Sequence, residues 1–117
     1  MVYLTGDIHG DPERVVQFCL SMKPRRTDTI ILLGDVAANY TGGHRDEWVK
    51  QTLEKLKINI LCIHGNHEQR PQNIPSYFEQ EWNGGIVFRE ELYPDILFAK
   101  DGEIYDLDGQ KTIAIGG

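Results

Sequence analysis

Gly6-Asp7-Ile8-His9-Gly10 follows a short apolar run at the start of the chain, and two similar stretches follow it. The apolar run 29–33 ends at Gly34-Asp35, and the run 58–63 leads into Gly65-Asn66-His67-Glu68. Each run is long enough for one strand, and each stops near a glycine flanked by side chains that can bind a metal ion. In an open α/β sheet the carboxyl ends of parallel strands share one edge. We therefore expect the three stretches to meet at one edge of a sheet.

The segments between these stretches have the pattern of helices. Asp11-Pro12 is typical of a helix start, and Lys23-Pro24 of a helix end. The apolar residues between them are predicted to form one buried stripe: Val15, Val16, Phe18, Cys19 and Met22. A second helix is predicted from about Asp46, with these residues facing inward: Trp48, Val49, Leu53 and Leu56. The first 64 residues are therefore predicted to form a βαβαβ unit.

The chain changes character after residue 70. Prolines, asparagines and glycines interrupt it, and four short β-like runs follow: 85–88, 96–99, 103–107 and 112–115. Asp108-Gly109 between the last two runs is a strong signal for a two-residue hairpin. We therefore expect mixed or antiparallel strands added to the three parallel ones. Trp82 is predicted to pack in the core or against a partner.

The composition excludes several classes of protein. The chain has 117 residues, enough for one domain, and a formal net charge of -6, which argues against broad nucleic-acid binding. No signal-peptide pattern is present, and no apolar run approaches the roughly 20 residues that cross a membrane. Cys19 and Cys62 lack the spacing of a zinc or redox site and are predicted to be buried. We expect a cytoplasmic protein.

The polar side chains at the predicted sheet edge offer a mixed set of metal donors. Asp7 and His9 are spaced so that both can bind one cation, and Asp35 can bridge two cations with its two oxygens. With the Asn66 carbonyl, this set suits Mn²⁺, Fe or Zn²⁺ better than an all-oxygen Ca²⁺ site. Two metals about 3.5–4 Å apart can generate hydroxide at neutral pH and stabilise both ends of a phosphoryl displacement. The spacing alone does not establish two metals.

The three motifs together resemble the calcineurin-like metallophosphoesterase family. Each motif alone is commonly a turn, but all three in this order, with fitting intervals and each at a strand end, are a specific signal. The resemblance covers residues 2–68 well and the rest only by its general strand pattern. It implies a four-layer αββα sandwich, a dinuclear metal site and hydrolysis of phosphate monoesters or diesters.

The resemblance also implies a role for each matched residue. Asp7 and His9 correspond to ligands of the first metal, Asp35 to the bridging ligand, and Asn66 to a ligand of the second metal. His67 corresponds to the catalytic histidine, which stabilises the transition state or protonates the leaving oxygen.

Some positions depart from one branch of the family. Protein Ser/Thr phosphatases have Asp and Arg where this chain has Ala38 and Asn39, and often Arg where it has His64. We therefore expect a general phosphomonoesterase or phosphodiesterase rather than a protein phosphatase. Asn39 and His64 are candidate substrate contacts, and Asn39 fits a loop-capping role equally well.

The family completes its metal sites with histidines from its C-terminal half, but this chain has no histidine after His67. We therefore expect residues 1–117 to form one truncated, partial domain, the N-terminal half of the sandwich. On its own it should bind none or one metal ion weakly and hydrolyse little. The alternatives are an incomplete scaffold or interaction module, and a half-domain that assembles with a second copy or a separate C-terminal piece. An unpaired strand at 112–116 would favour such oligomerisation or strand swapping.

Overall fold

The structure, a computed structural model, describes residues 1–6, 11–34, 44–64 and 74–113, with the backbone alone for Arg45 and His64. These residues form two helices and eight strands, numbered in chain order: β1 (Val2–Thr5), α1 (Glu13–Met22), β2 (Thr29–Gly34), α2 (His44–Glu54), β3 (Asn59–His64), β4 (Tyr77–Trp82), β5 (Gly85–Glu90), β6 (Tyr93–Ala99), β7 (Ile104–Leu107) and β8 (Gln110–Ile113). Neither helix is long and apolar enough to cross a membrane.

Six strands form one mixed sheet in the order β1-β2-β3-β6-β5-β4, and β7 and β8 pair separately. The pairs β1/β2, β2/β3 and β3/β6 are parallel, whereas β6/β5 and β5/β4 are antiparallel. The prediction of βαβαβ followed by mixed strands is therefore confirmed. The sequence analysis missed β4, an edge strand that is mostly exposed and has no clear apolar period.

Hydrogen bonds from nearby residues define both ends of helix α1. The Asp11 Oδ1 atom accepts a hydrogen bond of 3.0 Å from the Glu13 N–H, which pairs one of the free amides of the first turn. The helix ends at Lys23, whose left-handed backbone (φ 49°) lets its N–H donate to a carbonyl of the last turn. Val15 is buried, but Met22 is 55% exposed, so its predicted inward position is wrong. Met22 is the last helical residue, next to the connection that leaves the sheet face.

Helix α2 buries Val49 and Leu53 as predicted, and Leu56 after it packs partly buried against the same core, but Trp48 does not. Asp46, Val49, Lys50 and Leu53 are buried, while Trp48 is 45% exposed, so its predicted inward position is also wrong. At 3.6 residues per turn, Trp48 lies on the side of the helix opposite these four residues. Lys50 takes the inward position because its Nζ lies 2.5 Å from the Glu90 carboxylate of β5.

Both helices cover the same face of the six-stranded sheet. Their apolar residues share one core cluster with alternate residues of the strands: Val15, Ile30, Leu32, Val49, Leu53, Ile58, Ile60, Cys62, Phe88, Tyr93, Ile96 and Phe98. Cys62 is buried as predicted, and Cys19 is only half-buried. The helices and the sheet thus form the first two layers of the domain.

The β7–β8 hairpin begins a third layer on the opposite face of the sheet. The predicted turn at Asp108-Gly109 is confirmed, since both residues have positive φ (51° and 82°) between the paired strands. Tyr105 and Leu107 of β7 are buried in a second cluster that also contains Ile31, Leu61, Val87, Leu97 and Ala99. Trp82 packs partly against this cluster, with its ring 5.7 Å from that of Tyr105.

Candidate metal site

The strands that lead into the three motifs end at one edge of the sheet. Gly34, the last residue of β2, is the parallel partner of His64, the last residue of β3. Thr5, the last residue of β1, is partnered with Leu32 of β2. Because all three strands are parallel and adjacent, the segments that follow them leave the sheet on the same side.

The predicted site side chains lie outside the described residues, apart from one backbone position. His64 is the last residue of β3, and only its backbone is described. The others fall in the segments 7–10, 35–43 and 65–73: Asp7, His9, Asp35, Asn39, Asn66 and His67. Their roles stay predictions. Across the described ranges, no group of three or more His, Cys, Asp or Glu side chains could hold a metal ion, so the structure offers no competing site there.

Gly34 shows why a glycine precedes Asp35. Its φ is 90°, in the left-handed region that residues with a Cβ atom rarely adopt. The last residue of β2 therefore favours glycine. Gly6 does not have this left-handed conformation, and a Cβ atom there would meet nothing within 4 Å.

Strand β6 extends the same edge, which the sequence analysis did not anticipate. It lies parallel to β3, with Cys62 partnered with Phe98, so its carboxyl end at Ala99 also reaches this side of the sheet. The signal was the run 96–99, which is buried throughout, as is typical of a central parallel strand. Lys100 follows this strand, but its Nζ lies 2.8 Å from Glu79 of β4. Because β4 is on the side of β6 away from β3, this contact draws the cation away from the candidate site.

The helix N-termini also lie at this edge, since each helix runs back between two parallel strands. Their positive dipole ends are complemented by acidic residues of the chain in the first turns: Glu13 in α1, and Asp46 and Glu47 in α2. The helix ends therefore favour carboxylates that the chain already supplies. His44, the first residue of α2, is exposed.

A model of the calcineurin-like phosphoesterase family matches residues 1–115. The chain belongs to this family. A comparison with curated proteins found no match, and neither did a comparison with solved structures.

Family membership covers more of the chain than the three motifs do. The match extends through the β7–β8 hairpin, which the sequence analysis assigned only by its strand pattern. The mixed α/β architecture, with helices on one face of the sheet and a hairpin on the other, is consistent with part of the family's sandwich. The family is one of metal-dependent phosphoester hydrolases that generally bind two divalent metal ions.

Proposed function

We propose that this chain is the scaffold of a phosphomonoesterase or phosphodiesterase, with its site at the carboxyl edge of β1, β2 and β3. One observation supports this most directly: Gly34 and His64 are register partners in adjacent parallel strands. The segments carrying the second and third motifs therefore leave the sheet side by side, and the first motif follows the neighbouring strand β1.

The donor chemistry of the motif residues fits divalent metals. Asp7 and His9 would hold one ion, Asp35 would contact both ions, and Asn66 would hold the second. Carboxylate, imidazole and amide oxygen together favour Mn²⁺, Fe or Zn²⁺. Two such ions, when bound, would polarise the phosphoryl oxygens and lower the pKa of a bound water.

The remaining proposed steps belong to the side chains of the chain itself. The His67 imidazolium would donate a proton to the leaving oxygen, or hydrogen-bond a phosphoryl oxygen as negative charge develops on it. Asn39 and His64 would contact the substrate through N–H groups.

We further propose that residues 1–117 supply only part of the ligand set. Asp7, His9 and Asp35 give three ligands for the first ion, whereas Asp35 and Asn66 give two for the second. A closed metal site usually has four ligands, so this chain alone should bind metal weakly. The cytoplasmic location expected from the sequence stays a prediction.

The alternative function is an incomplete scaffold that assembles with another chain, and exposed apolar residues favour it. On the sheet face that carries the hairpin, Leu4 is 69% exposed and Leu33 is 42% exposed. Within the described residues β8 pairs only with β7, so its other edge has no strand partner there. An unpaired edge beside apolar surface is a typical place for strand addition, from a second copy or another chain.

Metal stoichiometry with paired activity tests both proposals. The chain is dialysed against Mn²⁺, bound metal is counted per chain, and hydrolysis of p-nitrophenyl phosphate and its bis-ester is assayed. We expect at most one ion and little turnover, with binding abolished by Asp35→Ala and unchanged by the control Asp106→Ala at an exposed position of β7. Metal binding that survives Asp35→Ala would refute the site assignment. Two ions with turnover that depends on Asp35 would refute the partial ligand set.

A further inference from the structure

Asp95 joins three separate segments at the amino edge of the sheet, opposite the candidate metal site. This β6 residue is 6% exposed, and its two carboxylate oxygens accept hydrogen bonds of 2.6 Å and 2.9 Å from the Arg26 guanidinium. Arg26 lies in the connection between α1 and β2. The Asp95 backbone N–H donates to Glu54 Oε1 at 3.0 Å, and Glu54 is the last residue of α2. One residue therefore holds the end of α2 and the α1–β2 connection against β6.

Glu54 Oε1 lies 3.0 Å from the Asp95 backbone nitrogen, so the two carboxyl groups are neighbours, and a hydrogen bond between them requires a proton on one of them. Burial raises the pKa of Glu54 from its ordinary value of 4.5 to about 7, and the hydrogen bond to Asp95 adds to this effect. Burial alone would raise the pKa of Asp95 too, but hydrogen bonds from Arg26 and Glu54 lower it. The proton therefore resides on Glu54, and the negative charge resides on Asp95 opposite Arg26.

Burial and the Asp95 carboxylate disfavour the ionised form of Glu54, whereas the Asp95 backbone N–H and Lys57 favour it to a smaller extent. The charged groups that face it are Arg26 from the α1–β2 connection, Asp95 from β6, and Lys57 from the α2–β3 connection. Arg26 is already engaged in a bidentate pair with Asp95. Glu54 also lies at the negative end of the α2 dipole, and no basic residue occupies the last turn of this helix. Ionised Glu54 would face a second carboxylate within hydrogen-bonding reach.

We propose that Arg26, Asp95 and Glu54 form a proton-dependent latch that fastens the end of α2 to β6 and loosens when Glu54 ionises. The geometry that supports this places the Glu54 Oε1 atom 3.0 Å from the Asp95 backbone nitrogen, next to the carboxylate that Arg26 binds. Glu54 can donate to that carboxylate only while it is protonated. Loss of that proton replaces a hydrogen bond by repulsion between two carboxylates. This inference does not depend on the proposed function, since the latch lies at the opposite edge of the sheet.

The direction of the pH dependence follows from which form of the protein holds the proton. The folded protein keeps the Glu54 proton up to about pH 7, whereas the unfolded chain releases it near 4.5. The stabilisation is therefore complete below pH 4.5 and is lost as the pH rises to about 7. The lowered pKa of Asp95 has the opposite effect on stability, but only below about pH 3.8, the ordinary pKa of an aspartate. Between pH 5 and 8 the latch therefore weakens as the pH rises.

Urea unfolding of the full chain between pH 5 and 8, in EDTA, tests the latch. Glu54→Gln keeps a neutral group that can both donate to Asp95 and accept from its N–H. Between pH 5 and 8 we expect the unfolding equilibrium constant of the wild type to rise about tenfold more than that of Glu54→Gln. This factor is smaller than the pKa shift alone would give, because Glu54 is partly exposed. The control Glu81→Gln, at an exposed position of β4, should behave like wild type. A Glu54→Gln protein with the wild-type pH dependence would overturn the proposal.

A direct measurement keeps the test valid if Glu54→Gln does not fold. The carboxyl ¹³C resonance of Glu54 in the wild-type chain can be followed by NMR as the pH changes. A midpoint near 7, with lower amide protection factors in the last turn of α2 above it, supports the latch; the protection factors are corrected for the intrinsic rise of exchange with pH. A midpoint near 4.5, or protection factors in that turn that do not change at the midpoint, overturns it.

Discussion

Replacing Tyr105 by phenylalanine removes one buried oxygen that connects the β7–β8 hairpin to the six-stranded sheet. The Tyr105 hydroxyl donates to the Ile86 carbonyl of β5 at 2.5 Å and accepts from the Lys100 N–H at 3.0 Å. Its side chain is among the largest that are completely buried. The variant keeps the ring and its contact with Trp82, so the change in stability reports on the two hydrogen bonds alone.

The expected loss of stability is about 2–4 kcal/mol. A buried hydrogen bond contributes about 1 kcal/mol, and a donor or acceptor left buried without a partner costs about 1–3 kcal/mol. Tyr105→Phe leaves one of each, the Lys100 N–H and the Ile86 carbonyl. With a urea dependence of about 1–3 kcal/mol per molar, the midpoint of unfolding should fall by about 1–2 M, with the slope unchanged.

Urea unfolding followed by circular dichroism measures this shift, and amide exchange locates it. The Lys100 amide should exchange faster in the variant, because its acceptor is gone. Tyr3→Phe is a matched control, since Tyr3 is half-buried on the helix side of the sheet and packs through its ring against Phe18. A Tyr105→Phe midpoint within about 0.3 M of wild type would refute the claim that this hydroxyl anchors the hairpin.

Three further substitutions test other parts of the structure. Gly85→Ala should destabilise by about 1–3 kcal/mol in thermal or urea unfolding, because its Cβ would lie 2.7 Å from the Tyr105 ring. Lys50→Met should lower the free energy of unfolding by about 3–5 kcal/mol, because it leaves the Glu90 carboxylate without its buried cation. The double variant Lys50→Met with Glu90→Leu should recover part of this loss, and no recovery would contradict the ion-pair explanation. Asp35→Ala should abolish Mn²⁺ binding in calorimetry while leaving the urea midpoint of the metal-free chain unchanged, and retained binding would exclude Asp35 as a ligand.

The sequence predicted the parallel part of the sheet well because its signals are local. The apolar runs 29–33 and 58–63 and the glycines that follow them lie within single segments, and the structure confirms strands there. Asp11-Pro12 marks the start of α1 for the same reason, since the Asp11 carboxylate pairs with an amide two residues away. Such signals need no knowledge of the rest of the fold.

The errors arose where a distant residue decides the structure. Periodicity assigned Trp48 to the core and did not indicate Lys50, but Lys50 is buried because Glu90, distant in sequence, provides its charge partner. The edge strand β4 has little apolar pattern, although Asn83-Gly84, a strong hairpin signal, joins it to β5 and both residues have positive φ. Of the candidate site, the described residues place the strand ends together, while the motif side chains stay predictions.

Two exposed apolar residues lie on strands that lead to the proposed metal site. Val87 and Leu97 are buried beneath the β7–β8 hairpin, whereas Leu4 and Leu33, on the same face of the sheet, are exposed. Leu33 is the residue before Gly34, at the carboxyl end of β2, which is the edge where we propose the metal site. If another chain completes the site, as the alternative function requires, the same added element has to cover Leu4 and Leu33 and bring donor side chains to this edge. Metal binding and burial of these two leucines should therefore be gained together.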